Sequence, residues 1–370
     1  MKTDRRIRAD IVGSFLRPAA LLEARRAYSG DLSAVVTAPK PESLIQLEND
    51  AIRDVVRMQE DAGLEVVTDG EFRRVFYFDS FTARLHGVEM KPDEGPKFVS
   101  GFSPPRVFVT DRIRWPEGGV MVEEFKYLAS LTRAVPKITL PSPLFSHFDG
   151  TGRVNKTVYP DVEHYWADLI DAYHREMNAL ANAGCRYIQI DETTVIRLCD
   201  PSYADILRKR GVDPAAQLEE WASILRKVAE GKPDGVTLAM HICRGNGPGG
   251  SYISEGSYEP IARALFAEVP FDTYLLEFDT ERAGGFEPLR HVPAGKTVVL
   301  GLISTKKPAL ENPERLASRV REAERFVALE DLAISPKCGF SSDVIDRPLG
   351  VEDQKRKLDL LVKAARMIWD

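Results

Sequence analysis

Cysteine is scarce in this chain, with four in 370 residues, too few for a disulfide framework to hold a domain of this size together. Reduced thiols and a cytoplasmic setting are therefore expected. Long apolar runs are missing as well: no stretch approaches the ~20 residues that would span a bilayer. The opening MKTDRRIRADIVGSF carries charges with no apolar segment behind them, so it does not read as a secretory signal. Positive charge is not in excess either. With 50 Lys and Arg against 56 Asp and Glu, the net charge is -6 and the pI about 5.7, which offers no footprint for nucleic acid or an anionic membrane. Internal repeats, low-complexity tracts and a clear interdomain linker are also lacking. What is present is an ordinary apolar fraction, 44%, in a chain whose length suits a single α/β barrel, a fold that routinely passes ~250 residues.

Short β-branched runs alternate with longer stretches of helical period. Eight strands are expected: Asp10 to Phe15, Leu64 to Thr68, Lys137 to Leu140, Tyr187 to Ile190, Val236 to Met240, Tyr274 to Leu276, Thr297 to Leu302 and Leu332 to Ile334. Between them, Leu44, Leu47, Ala51, Val55, Met58 and Ala62 recur every three or four residues and stop at Gly63. Trp166, Leu169, Tyr173, Met177 and Leu180 do the same before Gly184. Asn312-Pro313 is a helix start, leading Leu316, Val320, Ala323 and Val327, and a last helix carries Leu358, Leu361, Ala365 and Ile368. This alternation predicts an α/β fold, a single (β/α)8 TIM barrel over residues 1–370, with a doubly wound open sheet as its rival. Three segments exceed simple connections: roughly 16–40, 76–130 and 200–233. The second holds Arg106-Val107-Phe108-Val109, expected as part of a hairpin over the barrel mouth, and the third reads as a helical appendage.

Metal-capable side chains fall directly after predicted strands. His241 and Cys243 follow the fifth, Glu277 the sixth and Cys338 the eighth. In a barrel the C-terminal strand ends share one face, where barrel enzymes place their chemistry. Two thiolates, an imidazole and a carboxylate are apt ligands for Zn²⁺. Taken singly, each has a plainer reading, since a lone buried cysteine is usually a small hydrophobe. Cys185 and Cys199, beside a helix-ending glycine and in a charged connection, receive no role.

The motifs His241-Ile-Cys243, Leu276-Glu277 and Pro336-Lys-Cys338-Gly339 resemble the zinc ligands of the cobalamin-independent methionine synthase family. Gln189-Ile-Asp191-Glu192, Val12-Gly-Ser14 and Gly70-Glu71 resemble that family's amino-acid-binding motifs, in the same order along the chain. The resemblance implies a zinc-dependent S-methyltransferase that passes a methyl group to homocysteine, a small-molecule thiol, to give methionine. Zn²⁺ would be held by His241, Cys243, Glu277 and Cys338. The carboxylate end of homocysteine would meet Ser14 and the backbone near Val12, and its ammonium would meet Glu71 and Asp191. A homo-oligomer is compatible with this reading. Zinc suits the chemistry because a free thiol, with a pKa near ~8.5, is mostly protonated at neutral pH, and coordination removes that proton.

Some features depart from the folate-using members. A glycine- and serine-rich stretch, roughly 245–257, separates Cys243 from Glu277. Its Gly-Asn-Gly-Pro-Gly-Gly run lacks the P-loop lysine and the Rossmann spacing and reads as a lid. Lys306 stands where those enzymes place a histidine thought to protonate the leaving group, so no acid is assigned. Their N-terminal barrel is not represented. His147 is a candidate proton donor near the mouth, or a surface histidine. Arg73-Arg74 reads as a contact for an anionic donor, or more plainly as a solvated face or one salt bridge. The methyl donor therefore stays open. Alternatives are another zinc thiol alkyltransferase, such as an epoxyalkane–coenzyme M transferase, a metal-free lyase of the uroporphyrinogen decarboxylase type, and a non-catalytic metal-binding protein.

Overall fold

The computed structural model describes residues 7–30, 39–91, 105–146, 153–246, 251–344 and 349–370. Its strands are β1 (Val66–Val67), β2 (His86–Lys91), β3 (Arg106–Arg114), β4 (Val135–Pro141), β5 (Tyr187–Glu192), β6 (Thr237–Ile242), β7 (Thr273–Glu277), β8 (Thr297–Ile303) and β9 (Leu332–Pro336). Seven form one sheet in the order β1-β4-β5-β6-β7-β8-β9, every neighbour parallel. The predicted first strand closes it. Ala9 bridges Ile334 in β9, Ser14 bridges Gly70 just past β1, and Asp10 N and Phe15 N donate to the carbonyls of Ile334 and Gly70 at 3.0 and 3.1 Å. Between these bridges the segment forms no ladder, because side chains claim its carbonyls. The Lys137 ammonium donates to Ile11 O, and Gln189 Nε2 donates to Val12 O at 2.7 Å. The result is the TIM-barrel fold rather than an open doubly wound sheet.

One buried residue from each stave except β4 fills the lower interior: Val12, Val66, Tyr187, Ala239, Leu275, Val299 and Ala333, with Val135 of β4 packed against them partly buried. The period of two along each strand then carries polar side chains upward, to Asp191 on β5, His241 on β6 and Glu277 on β7. The helices seal the outside with the apolar stripes expected from sequence. In Val162–Asn182, Trp166, Leu169, Tyr173, Met177 and Leu180 are all buried, each side chain contributing about 1.5–3 kcal/mol. Gly63 and Gly184 take the left-handed conformation, φ +88° and +104°, that ends a helix with no Cβ to strain. The Asn312 side chain accepts from Arg315 N, capping helix Pro313–Ala323 as expected. Asp200 and Asp213 cap Pro201–Lys209 and Pro214–Glu230 in the same Xaa-Pro pattern.

Leu47 departs from its expected place, being 37% exposed while Glu48 turns inward. The inward carboxylate is neutralised by Arg25 at 2.8 Å, Lys40 at 2.6 Å and Arg73 at 3.2 Å. The hairpin exists as β2 and β3, and Arg112 in β3 pairs with Asp168 on the helix Val162–Asn182 at 2.8 Å. Residues 92–104, between its strands, lie outside the described residues. The stretch 200–233 is helical. Its second helix, Pro214–Glu230, buries Trp221, Leu225 and Val228 and links β5 to β6, so it belongs to the barrel's own ring.

Candidate metal and amino-acid site

At the upper end of β6, Nδ1 of His241 lies 3.2 Å from the Leu275 carbonyl in β7. A carbonyl only accepts, so this contact assigns the ring proton to Nδ1 and leaves a lone pair on Nε2. That Nε2 is buried and has no hydrogen-bond partner. Two residues on, where β6 ends, stands Cys243, and its Sγ is 3.3 Å from Sγ of Cys338 in the loop after β9; both cysteines are free thiols. The ligand atoms of His241, Cys243 and Cys338 all fall within 4.8 Å of one another. An orphaned imidazole nitrogen beside two buried sulfurs fits a thiophilic metal such as Zn²⁺, and the Nδ1–carbonyl contact is the outer support usual for a metal-bound histidine.

Glu277 is adjacent, yet its carboxylate faces cations. Oε2 lies 3.9 Å from Cys243 Sγ, accepts from Arg244 N at 3.1 Å and is 3.6 Å from Lys337 Nζ, while Oε1 pairs with Arg282. Burial alone would raise its pKa, but Lys337 and Arg282 more than offset this and hold it below the ordinary carboxylate value. Cys338 is held below the ordinary thiol value by its hydrogen bond with Cys243, against the effect of burial and with help from Lys337. Lys337 was passed over in the sequence although it sits inside the Pro-Lys-Cys-Gly motif; Arg282 and Arg244 carried no local signal.

The expected amino-acid residues line up on the neighbouring staves. Glu71 is buried and is the one non-glycine described residue with positive φ, +60°. Its Oε1 accepts from Thr139 Oγ1 at 2.9 Å and lies 3.5 Å from Arg74 Nη1, whereas Oε2 is buried without a partner. Burial, opposed by Arg74 and reinforced by Asp191, pushes its pKa up to about 7. Burial also raises Asp191, against the pull of His241 and Gln189. Asp191 is in register with His241 across β5 and β6, so the candidate amino-acid and metal groups share one layer. Ser14 is buried beside Gly339, and its carbonyl accepts from Phe340 N at 2.8 Å. The Val12 carbonyl is taken by Gln189.

Other candidates fare differently. Arg73 pairs with Glu48 and Asn49 on a helix, which is the salt-bridge reading. Buried Arg74 donates to the Thr139 and Tyr77 carbonyls at 2.7 and 3.0 Å. His147 and residues 247–250 of the glycine run lie outside the described residues. Lys306 donates to the carbonyls of Gly245 and Ser251 at 3.2 and 2.9 Å and lies 3.5 Å from the Tyr252 ring centroid, so it holds the two ends of that run together. Burial, and then the charge of Lys337, pushes its pKa down to about 7. Cys185 and Cys199 are buried, each with its thiol pKa raised by burial.

A parallel α/β barrel that gathers imidazole, thiol and carboxylate groups at its C-terminal strand ends has the layout of a barrel enzyme's active face. Residues 9–367 match the family described as cobalamin-independent synthase, catalytic domain. The chain belongs to this methionine synthase-type methyltransferase family. It is 35% identical over 367 residues to the uncharacterized protein YxjH of Bacillus subtilis (strain 168), covering 98% of this chain and 94% of that one. It is 25% identical to the methionine synthase of Pyrococcus horikoshii, covering 97% and 91%. Among solved structures, a putative vitamin-B12-independent methionine synthase from Listeria monocytogenes superposes with a TM-score of 0.75 at 31% identity, covering 99% of this chain and 100% of that one.

Proposed function

We propose that this protein is a zinc-dependent S-methyltransferase that converts homocysteine to methionine. The observation that carries the reading is the buried, unpartnered Nε2 of His241 beside two free sulfurs 3.3 Å apart. His241, Cys243 and Cys338 would hold the metal, with Glu277 completing the set. Bound there, zinc would lower the pKa of the substrate thiol so that a thiolate is present at neutral pH. Glu277 is the hardest ligand of the four and the one with waiting counter-charges. Arg282 and Lys337 lie beside its carboxylate and would hold it as a counter-charged pair whether or not it bound the metal.

At the other end of the substrate, the unpartnered Oε2 of Glu71 supports an ammonium site. A buried carboxylate oxygen without a donor is costly when the site is empty, and an ammonium supplies the donor. Asp191 gives this group a second carboxylate, and Ser14 offers a hydroxyl to the substrate carboxylate.

Protein purified without added metal is expected to hold about one zinc per chain, the count set by the single His241, Cys243 and Cys338 cluster among the described residues. Homocysteine methylation should stop in chelator and return with zinc. Near-zero zinc, with full activity in chelator, would overturn the proposal.

A further inference from the structure

Beneath the amino-acid site runs a chain of buried polar groups that the proposed chemistry does not use. Lys137, on β4, is 1% exposed. Its ammonium donates to Asp10 Oδ1 at 2.8 Å, to the Ile11 carbonyl and to Gln189 Oε1 at 3.0 Å, and it lies 4.9 Å from the Tyr187 ring centroid. Tyr187 donates from its hydroxyl to Asp10 Oδ2 at 2.5 Å. Gln189, fully buried, sends its Nε2 to Val12 O and to Asp191 Oδ1, both at 2.7 Å.

We infer that Lys137 positions Asp191 for the substrate ammonium by setting the orientation of the Gln189 side chain. An amide can face either way, and in isolation its two orientations are close in energy. An ammonium has no lone pair, so beside Lys137 only the amide oxygen is tolerated. Nε2 must then point to the opposite side, where Asp191 Oδ1 and Val12 O both accept. Turned around, the amide would set an N–H group against an ammonium and an oxygen against a carboxylate, two repulsive contacts in a buried place where each is strong.

Asp191 is thereby held by one oxygen, with its carboxylate plane set by a fixed donor. The same amide ties Val12 to Asp191, so the stave bearing Ser14 and the one bearing Asp191 keep a constant spacing. Lys137 and Gln189 are positioning residues. Neither lies among the groups assigned to touch the substrate.

The inference rests on the reading of Asp191 as an ammonium contact, and the test separates the two. Binding of homocysteine is compared with that of 4-mercaptobutanoic acid, which has the same chain and no amine, by calorimetry on the zinc-loaded protein. Lys137→Met and Gln189→Met should each reduce the preference for homocysteine by about ten-fold or more, the scale of one lost charge-assisted hydrogen bond. Affinity for the amine-free thiol and zinc content should both be retained. The double variant should be no worse than the poorer single one, because both changes break the same link. Gln189→Met leaves the Lys137–Asp10 pair intact, so it decides the matter if Lys137→Met does not fold. A wild-type protein with no preference for the amine would overturn the ammonium reading itself. A wild-type preference that Gln189→Met leaves unchanged, or an equal loss of both thiols in that variant, would overturn the positioning role alone.

Discussion

Ser14 occupies the space that a side chain on Gly339 would need: a Cβ built on Gly339 would stand 1.9 Å from Ser14 Oγ. The contact joins the first stave of the proposed amino-acid site to the loop that carries Cys338. Gly339→Ala should therefore displace Ser14 and disturb both ends of the site. A cost of about 1–3 kcal/mol in stability, typical of overpacking, is expected from chemical denaturation, together with weaker homocysteine binding. Wild-type stability and affinity in this variant would show that Ser14 can step aside freely.

Cys243→Ser and Cys338→Ser should each lose most of the zinc, since a neutral hydroxyl replaces a thiolate ligand. Cys185→Ser and Cys199→Ser should keep it, because neither belongs to the cluster of His241, Cys243 and Cys338. Elemental analysis after gel filtration reads this out directly. Equal zinc loss in all four would assign the metal to the wrong sulfurs.

Glu71 sets a pH dependence that methionine can report without a titrating thiol. Burial raises its pKa to about 7. Above that pH the group is anionic and attracts an ammonium; below it the group is neutral. Methionine affinity should therefore fall as pH drops from 8 towards 6, by up to about ten-fold per unit once Glu71 is protonated. Glu71→Gln should bind weakly throughout and flatten this limb. Calorimetry across that range checks both, and an unchanged slope in the variant would remove Glu71 from the site.

Homocysteine should bind more tightly than coenzyme M. A sulfonate brought next to Glu71 and Asp191 meets like charges, at a cost of several kcal/mol, whereas an ammonium is welcomed. Asp191→Asn should weaken homocysteine by about 1.5–3 kcal/mol, the range for a hydrogen bond to a charged group, without loss of zinc. Tighter binding of coenzyme M by the unmodified protein would favour the epoxyalkane-transferase type of chemistry instead.

Polyglutamylated methyl-folate should be a poor methyl donor. Lys306 is engaged by the Gly245 and Ser251 carbonyls, and the added stretch lays Tyr252 against Arg282 and Lys306, with 3.3 and 3.5 Å to its ring centroid. This side of the site is thus built differently from one with a histidine acid. Steady-state turnover with that donor at the ~10 s⁻¹ usual for enzymes would show that the difference does not matter.

The sequence by itself determined the barrel's staves, because eight short apolar runs and the three- and four-residue spacing of the intervening helices follow directly from backbone periodicity. It also marked His241, Cys243, Glu277 and Cys338, since residues at or just past the C-terminal ends of parallel strands come to one end of the barrel. Only the tertiary structure decided closure, which depends on two bridges made by residues 9 and 14 with partners far along the chain. The inward turn of Glu48 in place of Leu47 was equally hidden, because its three cations come from other segments. The same holds for the cations around Glu277 and for the line from Lys137 through Gln189 to Asp191. A buried charge is stable only beside its partners, and long-range pairing leaves no local period in a sequence to read.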